Sequence, residues 1–191
     1  MLAAVSPASS TVTDDATRAE TDTLLMNPIK VGLLGIGTVG AGTFNVLQRN
    51  GEDIRRRAGR GIEITMVAAR NLERAERLTE GRCEIVGDPF LVVDNPDIDI
   101  VVELIGGYEL PRELVLRAIA NGKHVVTANK ALLALHGNEI FAAAQEKGVM
   151  VAFEAAVAGG VPIIKALREG LTANRIESVA GIINGTTNFI L

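Results

Sequence analysis

Gly35-Ile36-Gly37-Thr38-Val39-Gly40 has the spacing of a phosphate-binding turn. Each glycine has its own task there: Gly35 permits a tight turn, Gly37 lets the backbone approach a pyrophosphate, and Gly40 lets the following helix pack closely on the preceding strand. Amides near Thr38 and Val39, at the positive end of that helix, would hold the anion. In a chain with 20 glycines the hexapeptide carries little weight alone. Its specificity comes from its place, directly after the apolar run 29–34 and directly before 38–49, where Val39, Thr43, Val46 and Leu47 share one helical face. Dinucleotide binding is the chemistry this implies; the bland alternative is a glycine-rich turn that holds nothing.

The second strand, over 63–69, runs out at Ala68-Ala69-Arg70-Asn71. A site that prefers NAD usually has a carboxylate there, accepting from the ribose 2′-hydroxyl. Here there is none, and Arg70 can pair with a 2′-phosphate, so NADP is favoured or at least tolerated and NAD remains possible. The alternative is a solvated loop arginine. The distance from Gly40 exceeds the usual ~20 residues, an excess that a loop over 50–61 absorbs. Arg55, Arg56, Arg57 and Arg60 in that loop read as a solvated charge run.

The elements that must position these groups alternate along the chain. Strands are expected over 29–34, 63–69, 99–104, 124–127 and 149–153. Helices are expected over 38–49, 72–79, 111–120 and, as one or two pieces, 130–147. Strands apolar on both faces and joined by helices make a parallel sheet covered on each side, the doubly wound α/β class. Ile105 and Gly106 follow the third of these strands at its carboxyl end, where such sheets hold their ligand. Beyond 153 the pattern changes to a glycine-rich turn, a helix over about 162–169 and a strand-like 176–183. A second, α+β unit therefore begins at 154. Residues 1–27, rich in Ser, Thr and Ala and carrying Asp14, Asp15, Glu20 and Asp22 against Arg18, read as a disordered leader that fits neither a secretory nor a mitochondrial signal.

Composition removes several function classes. Lys plus Arg number 19 against 23 Asp plus Glu, and with one Tyr, five Phe and no Trp there is little surface for stacking bases, so nucleic acid is not an expected partner. No apolar run reaches the ~18 residues that would span a bilayer, so neither is a membrane. Cys83 is the only cysteine and the two histidines, His124 and His136, lie far from it, which leaves no zinc-spaced cluster and suits a reducing, cytoplasmic setting. Serine occurs only at 6, 9, 10 and 178, never in a nucleophile elbow.

Three further segments carry a resemblance. At Thr127-Ala-Asn-Lys130, Phe153-Glu-Ala-Ala-Val-Ala-Gly-Gly-Val-Pro162 and Gly181-Ile-Ile-Asn-Gly-Thr-Thr-Asn188 the chain closely resembles homoserine dehydrogenase; with the Gly35 turn, these span nearly all of 28–191. The resemblance implies an NAD(P)-binding domain of Rossmann type over 28–153 and the start of a substrate and dimerisation domain over 154–191. It implies interconversion of L-homoserine and L-aspartate 4-semialdehyde, a step towards threonine, methionine and isoleucine. Lys130 matches the family lysine beside nicotinamide and substrate, where an ammonium can polarise a carbonyl oxygen. A cation at the positive end of a helix is locally unfavourable, which weakens the reading of Lys130 as a surface residue. Glu154, Val157, Gly159 and Val161 match a segment that binds a monovalent cation such as sodium, mostly through main-chain carbonyls. Asn184, Gly185 and Thr186 match the substrate-side loop. The family continues with further acidic substrate ligands and a second lysine, so this chain is expected to be inactive or nearly so by itself, and the full-length enzyme to be a homo-oligomer. Two rival readings use the same turn: a dinucleotide-binding module without catalysis, and a dehydrogenase of similar architecture acting on a sugar or another semialdehyde.

Overall fold

A computed structural model describes residues 27–181. Six strands form one parallel sheet: β1 (Ile29–Leu34), β2 (Ile62–Ala68), β3 (Glu84–Val86), β4 (Ile100–Glu103), β5 (His124–Thr127) and β6 (Val151–Ala152). Their spatial order is β3-β2-β1-β4-β5-β6, with every neighbour parallel. Between them run α1 (Thr38–Arg49), α2 (Gly51–Ala58), α3 (Leu72–Thr79), α4 (Phe90–Asp94), α5 (Glu109–Ala120) and α6 (Lys130–Lys147). Order and direction are those of the Rossmann class, in which the chain reverses its progress across the sheet between the first and fourth strands.

Alternation along each strand feeds two separate cores. Leu33 and Val67 join Phe44 of α1 and Ala75 of α3 on one face. Leu34 and Val101 join Val92 of α4, Leu114 of α5 and Ile140 of α6 on the other. Gly32, in the middle of β1, is required by the second layer: a Cβ there would lie 2.8 Å from Ile98 Cδ1. The β1–β2 register shifts between Val31 and Gly32, so Val31 pairs with Ile64 and Gly32 with Met66. Such a bulge bends the strand just before the turn it delivers.

Several expectations need correction. The segment 50–61 is not a loop: 51–58 is the helix α2, which buries no residue and so leaves no apolar period to read; Asp53 and Arg56 pair on its surface. Arg60 is not simply solvated, because its Nη2 and Nε donate to the carbonyl oxygen of Asn27 at 2.6 and 3.1 Å. β3 and α4 are additional elements of three and five residues, too short to show periodicity. α5 starts at Glu109, two residues before Pro111, whose missing N–H falls among the amides that have no partner inside a helix anyway. α6 is one continuous helix, closed by Gly148 at φ 68°.

After β6 come a 3-10 turn (Glu154–Ala156), the short helix α7 (Ile163–Lys165) and a π-helical turn (Ala166–Gly170). Residues 176–181 form no strand, since a strand needs a neighbour and their exposed backbone has none among the described residues. The remainder of that expected strand, residues 1–26 of the leader, and Asn184, Gly185 and Thr186 lie outside the described residues.

Candidate functional site

β1 ends at Leu34, and Gly35 turns the chain with φ 96°, a left-handed conformation that side chains rarely adopt. The turn is fixed on both sides. Gly35 N donates to Ala68 O of β2 at 2.9 Å, and Leu104 N donates to Leu34 O at 2.9 Å. A Cβ on Gly40 would lie 3.1 Å from Gly35 C and closer still to its carbonyl oxygen, so helix and turn meet backbone to backbone. Around Gly37 nothing lies within 4 Å of where a Cβ would sit.

Gly37 is also the N-cap of α1 and offers no side chain to the first amides, whereas Asn71 and Asn129 cap α3 and α6. Thr38 and Val39 are exposed at that opening turn. Backbone donors that no side chain caps lie at the positive end of this 12-residue helix, an arrangement with the chemistry to receive an anion.

The opening belongs to a cavity of about 480 Å³ whose lining includes Gly35, Gly37, Arg70, Arg74, Ile105 and Gly106. The structure thus gathers the turn, the end of β2 and the end of β4 into one crevice at the carboxyl ends of the strands. Among the described residues no carboxylate lines it. Arg70 and Arg74 are exposed at its β2 end, Arg74 being an addition to the sequence reading, and neither guanidinium pairs with a carboxylate among the described residues.

Lys130 is exposed as the first residue of α6, outside the lining of this cavity. It is connected to the crevice through its neighbours. Asn129 Nδ2 donates to Gly107 O at 2.7 Å and Asn129 Oδ1 accepts from Leu132 N at 3.1 Å. Beneath them Glu103, fully buried at the end of β4, accepts from Ile105 N at 3.0 Å and from Thr127 Oγ1 at 2.7 Å. Sequence reasoning assigned no role to Glu103, Thr127 or Asn129. The available signal was a carboxylate ending the otherwise apolar run Ile100-Val101-Val102-Glu103.

Glu154 follows β6, with its carboxylate accepting from Ile164 N and Lys165 N at 2.9 Å each, so that it caps α7. Val161 O accepts from Ile163 N at 2.8 Å, while the carbonyls of Val157 and Gly159 accept no hydrogen bond among the described residues. Ala158 at φ 49° and Gly160 at φ 91° make this stretch irregular. His124 Nδ1 accepts from Met150 N at 3.0 Å and His136 lies beside Glu139 and Tyr108, both histidines being away from the crevice lining.

A second cavity, about 600 Å³, opens at the amino ends of the strands between Arg60, Asp94, Asp99 and Lys123. Its polar groups already serve one another. The hydrogen bond from Arg117 holds the Asp94 carboxyl below its ordinary range, Asp99 accepts from Lys30 N, and Lys123 Nζ donates to Asn95 O and Ile98 O. Burial pushes the Lys123 ammonium down, with Asp99 partly opposing. Much of the polar lining at that end is thus tied to neighbouring backbone and side chains, whereas the crevice at the other end gathers two arginines without carboxylate partners among the described residues.

Sheet order, a glycine turn at the reversal point and an uncapped helix behind it define a Rossmann-type dinucleotide-binding domain. Residues 35–154 match the family model described as homoserine dehydrogenase, NAD binding domain, and residues 162–191 match that described as homoserine dehydrogenase. The chain belongs to the homoserine dehydrogenase family. It is 68% identical over 166 residues to the homoserine dehydrogenase of Pseudomonas aeruginosa, covering 87% of this chain and 38% of that protein. To the Bacillus subtilis enzyme it is 43% identical, with the same two coverages, 87% and 38%. A solved homoserine dehydrogenase from Thiobacillus denitrificans superposes with a TM-score of 0.81 at 72% identity, covering 86% of this chain and 38% of that one. The chain therefore spans 38% of the length of these relatives. Among the described residues no helix is long and apolar enough to cross a membrane.

Proposed function

We propose that this chain is the cofactor-binding part of a homoserine dehydrogenase, holding NADP, with NAD as the lesser partner, for the interconversion of L-homoserine and L-aspartate 4-semialdehyde. The observation that carries the reading is the open approach at Gly37 beside the uncapped start of α1. In this reading Gly35, Gly37, Thr38, Val39 and Gly40 take the pyrophosphate, Arg70 pairs with the 2′-phosphate, and Ile105 and Gly106 form the wall on the far side of the turn. The bound dinucleotide supplies the hydride donor or acceptor. The Lys130 ammonium, reinforced by the positive end of α6, polarises the substrate's carbonyl oxygen. Residues 28–153 are the binding domain and 154–191 the start of the substrate domain, where Asn184, Gly185 and Thr186 contact the amino acid.

A hard monovalent cation suits the turn after β6, because the carbonyls of Val157 and Gly159 accept no hydrogen bond among the described residues and Glu154 and Val161 belong to the same short segment. Glu154 at the same time orders α7. The reaction serves threonine, methionine and isoleucine synthesis in the cytoplasm, and the whole enzyme is a homo-oligomer. Because substrate contacts made only in the transition state govern rate, turnover by a chain with 38% of the relatives' length is low while dinucleotide affinity is retained.

Fluorescence titration of NADPH and NADH into the purified chain, repeated with Arg70→Ala, tests the reading. The substitution should weaken NADPH by about tenfold, the scale of one charge-assisted phosphate contact, and leave NADH within about twofold. Absence of binding by either cofactor to folded protein overturns the dinucleotide assignment; equal loss of both in Arg70→Ala overturns the 2′-phosphate role.

A further inference from the structure

Glu103 is fully buried beside the crevice yet absent from its lining. Its two carboxylate oxygens divide their work between two chain segments. Oε1 accepts from Ile105 N at 3.0 Å, in the loop that leaves β4, and Oε2 accepts from Thr127 Oγ1 at 2.7 Å, at the end of β5. Thr127 Oγ1 itself accepts from Asn129 N at 3.0 Å, so its one hydroxyl proton is committed to Glu103. Asn129 Nδ2 then donates to Gly107 O at 2.7 Å, closing a ring of contacts that joins the loop after β4 to the loop after β5.

Both ends of this ring face the site. A Cβ on Gly35 would lie 2.8 Å from Ile105 Cγ2, so Ile105 abuts the phosphate-binding turn, and Lys130 directly follows Asn129. A dinucleotide laid across a doubly wound sheet extends to either side of that turn. With Arg70 marking the adenosine side at β2, the nicotinamide side falls over β4 and β5. We propose that Glu103 is a positioning residue for the nicotinamide half of the site, holding Ile105–Gly107 and Asn129–Lys130 in one frame through Thr127. The inference rests on the dinucleotide reading.

Glutamine at 103 would preserve volume but supply one acceptor where two donors converge. Either Ile105 N–H or the Thr127 hydroxyl proton then loses its partner, and the two loops are no longer locked together. Valine at 127 removes the same link from the other side, while serine restores the hydroxyl.

The test is a titration of the 191-residue chain and its variants with NADPH and with 2′,5′-ADP, which carries the adenosine half alone. Glu103→Gln and Thr127→Val should each raise the Kd for NADPH by about tenfold, the scale of one lost hydrogen bond, and leave 2′,5′-ADP within about twofold; Thr127→Ser should return towards wild type. Unchanged NADPH binding in Thr127→Val overturns the proposal, as does an equal loss of both ligands, which would indicate a general effect on the fold. If wild type binds neither ligand, the dinucleotide reading fails first; if wild type and both variants bind both ligands alike, only the positioning role fails. Should Glu103→Gln not fold, the contrast between valine and serine at 127 decides alone.

Discussion

Replacing Gly40 by alanine would press a methyl group against the carbonyl of Gly35, with the Cβ 3.1 Å from Gly35 C and nearer to the oxygen. Ordinary separation is roughly 3.5 Å or more, so turn and helix would have to part by about 1 Å. The obstacle is backbone, which places the overpacking cost near the upper end of its usual range, about 3 kcal/mol. Alanine's better helix propensity offsets about 1 kcal/mol, leaving a net loss of about 2 kcal/mol. For a domain of this size that is a fall in Tm of roughly 4 to 8 °C. Gly37→Ala is the matched control. It meets open space at φ −70°, so its stability change stays within about 1 kcal/mol. It should nonetheless weaken NADPH by at least about tenfold, because the methyl stands where backbone must approach phosphate. Thermal melts followed by circular dichroism, with and without NADPH, separate the two effects. A Gly40→Ala protein as stable as wild type, or a Gly37→Ala protein that loses stability but not affinity, would refute the division of labour within the turn.

Two further outcomes concern groups away from the crevice. Burial, partly opposed by the hydrogen bond with Thr79, raises the Cys83 thiol above its ordinary range, so at about pH 8 the folded chain should react with a disulfide reagent more slowly than the same chain in denaturant; equal rates would contradict it. Asp94, hydrogen-bonded by Arg117, titrates below its ordinary range, so its contribution is present above about pH 4 and is lost as pH falls through the folded value. Asp94→Asn should therefore have a lower Tm than wild type near pH 7, with the gap closing as pH falls below about 4. A gap that does not change with pH would count against the ion pair as its source.

What could be read from sequence divides along a physical line. β1, β4 and β5 have apolar centres because helices cover both faces of the sheet, and Gly35 and Gly40 of the 35–40 turn answer local steric rules. Such features need no knowledge of distant residues. β3 and α4 escaped because three and five residues give periodicity nothing to act on, and α2 because it buries no side chain. Arg60 looked solvated since its acceptor, the carbonyl of Asn27, is 33 residues away. The Glu103–Thr127 contact is likewise a product of β4 lying beside β5, where Glu103 pairs with Thr127 in register. Over residues 176–181 β-type composition could not supply the neighbour that a strand requires, and none is present among the described residues.

Strand order also carries a consequence for synthesis. β1 leaves the ribosome early and pairs with β2, but its other neighbour is β4, which arrives late: Leu33 lies in register with Val102. At roughly 5 to 20 residues per second the interval is about 3 to 14 s. During that time the half-sheet β1–β2–β3 presents the apolar edge of β1, including Leu33 and Leu34, without a partner. Exposed edges of this kind template association with other chains. A central strand of the mature sheet is thus an edge strand of its nascent form, and expression yield should respond to temperature and translation speed through that one edge.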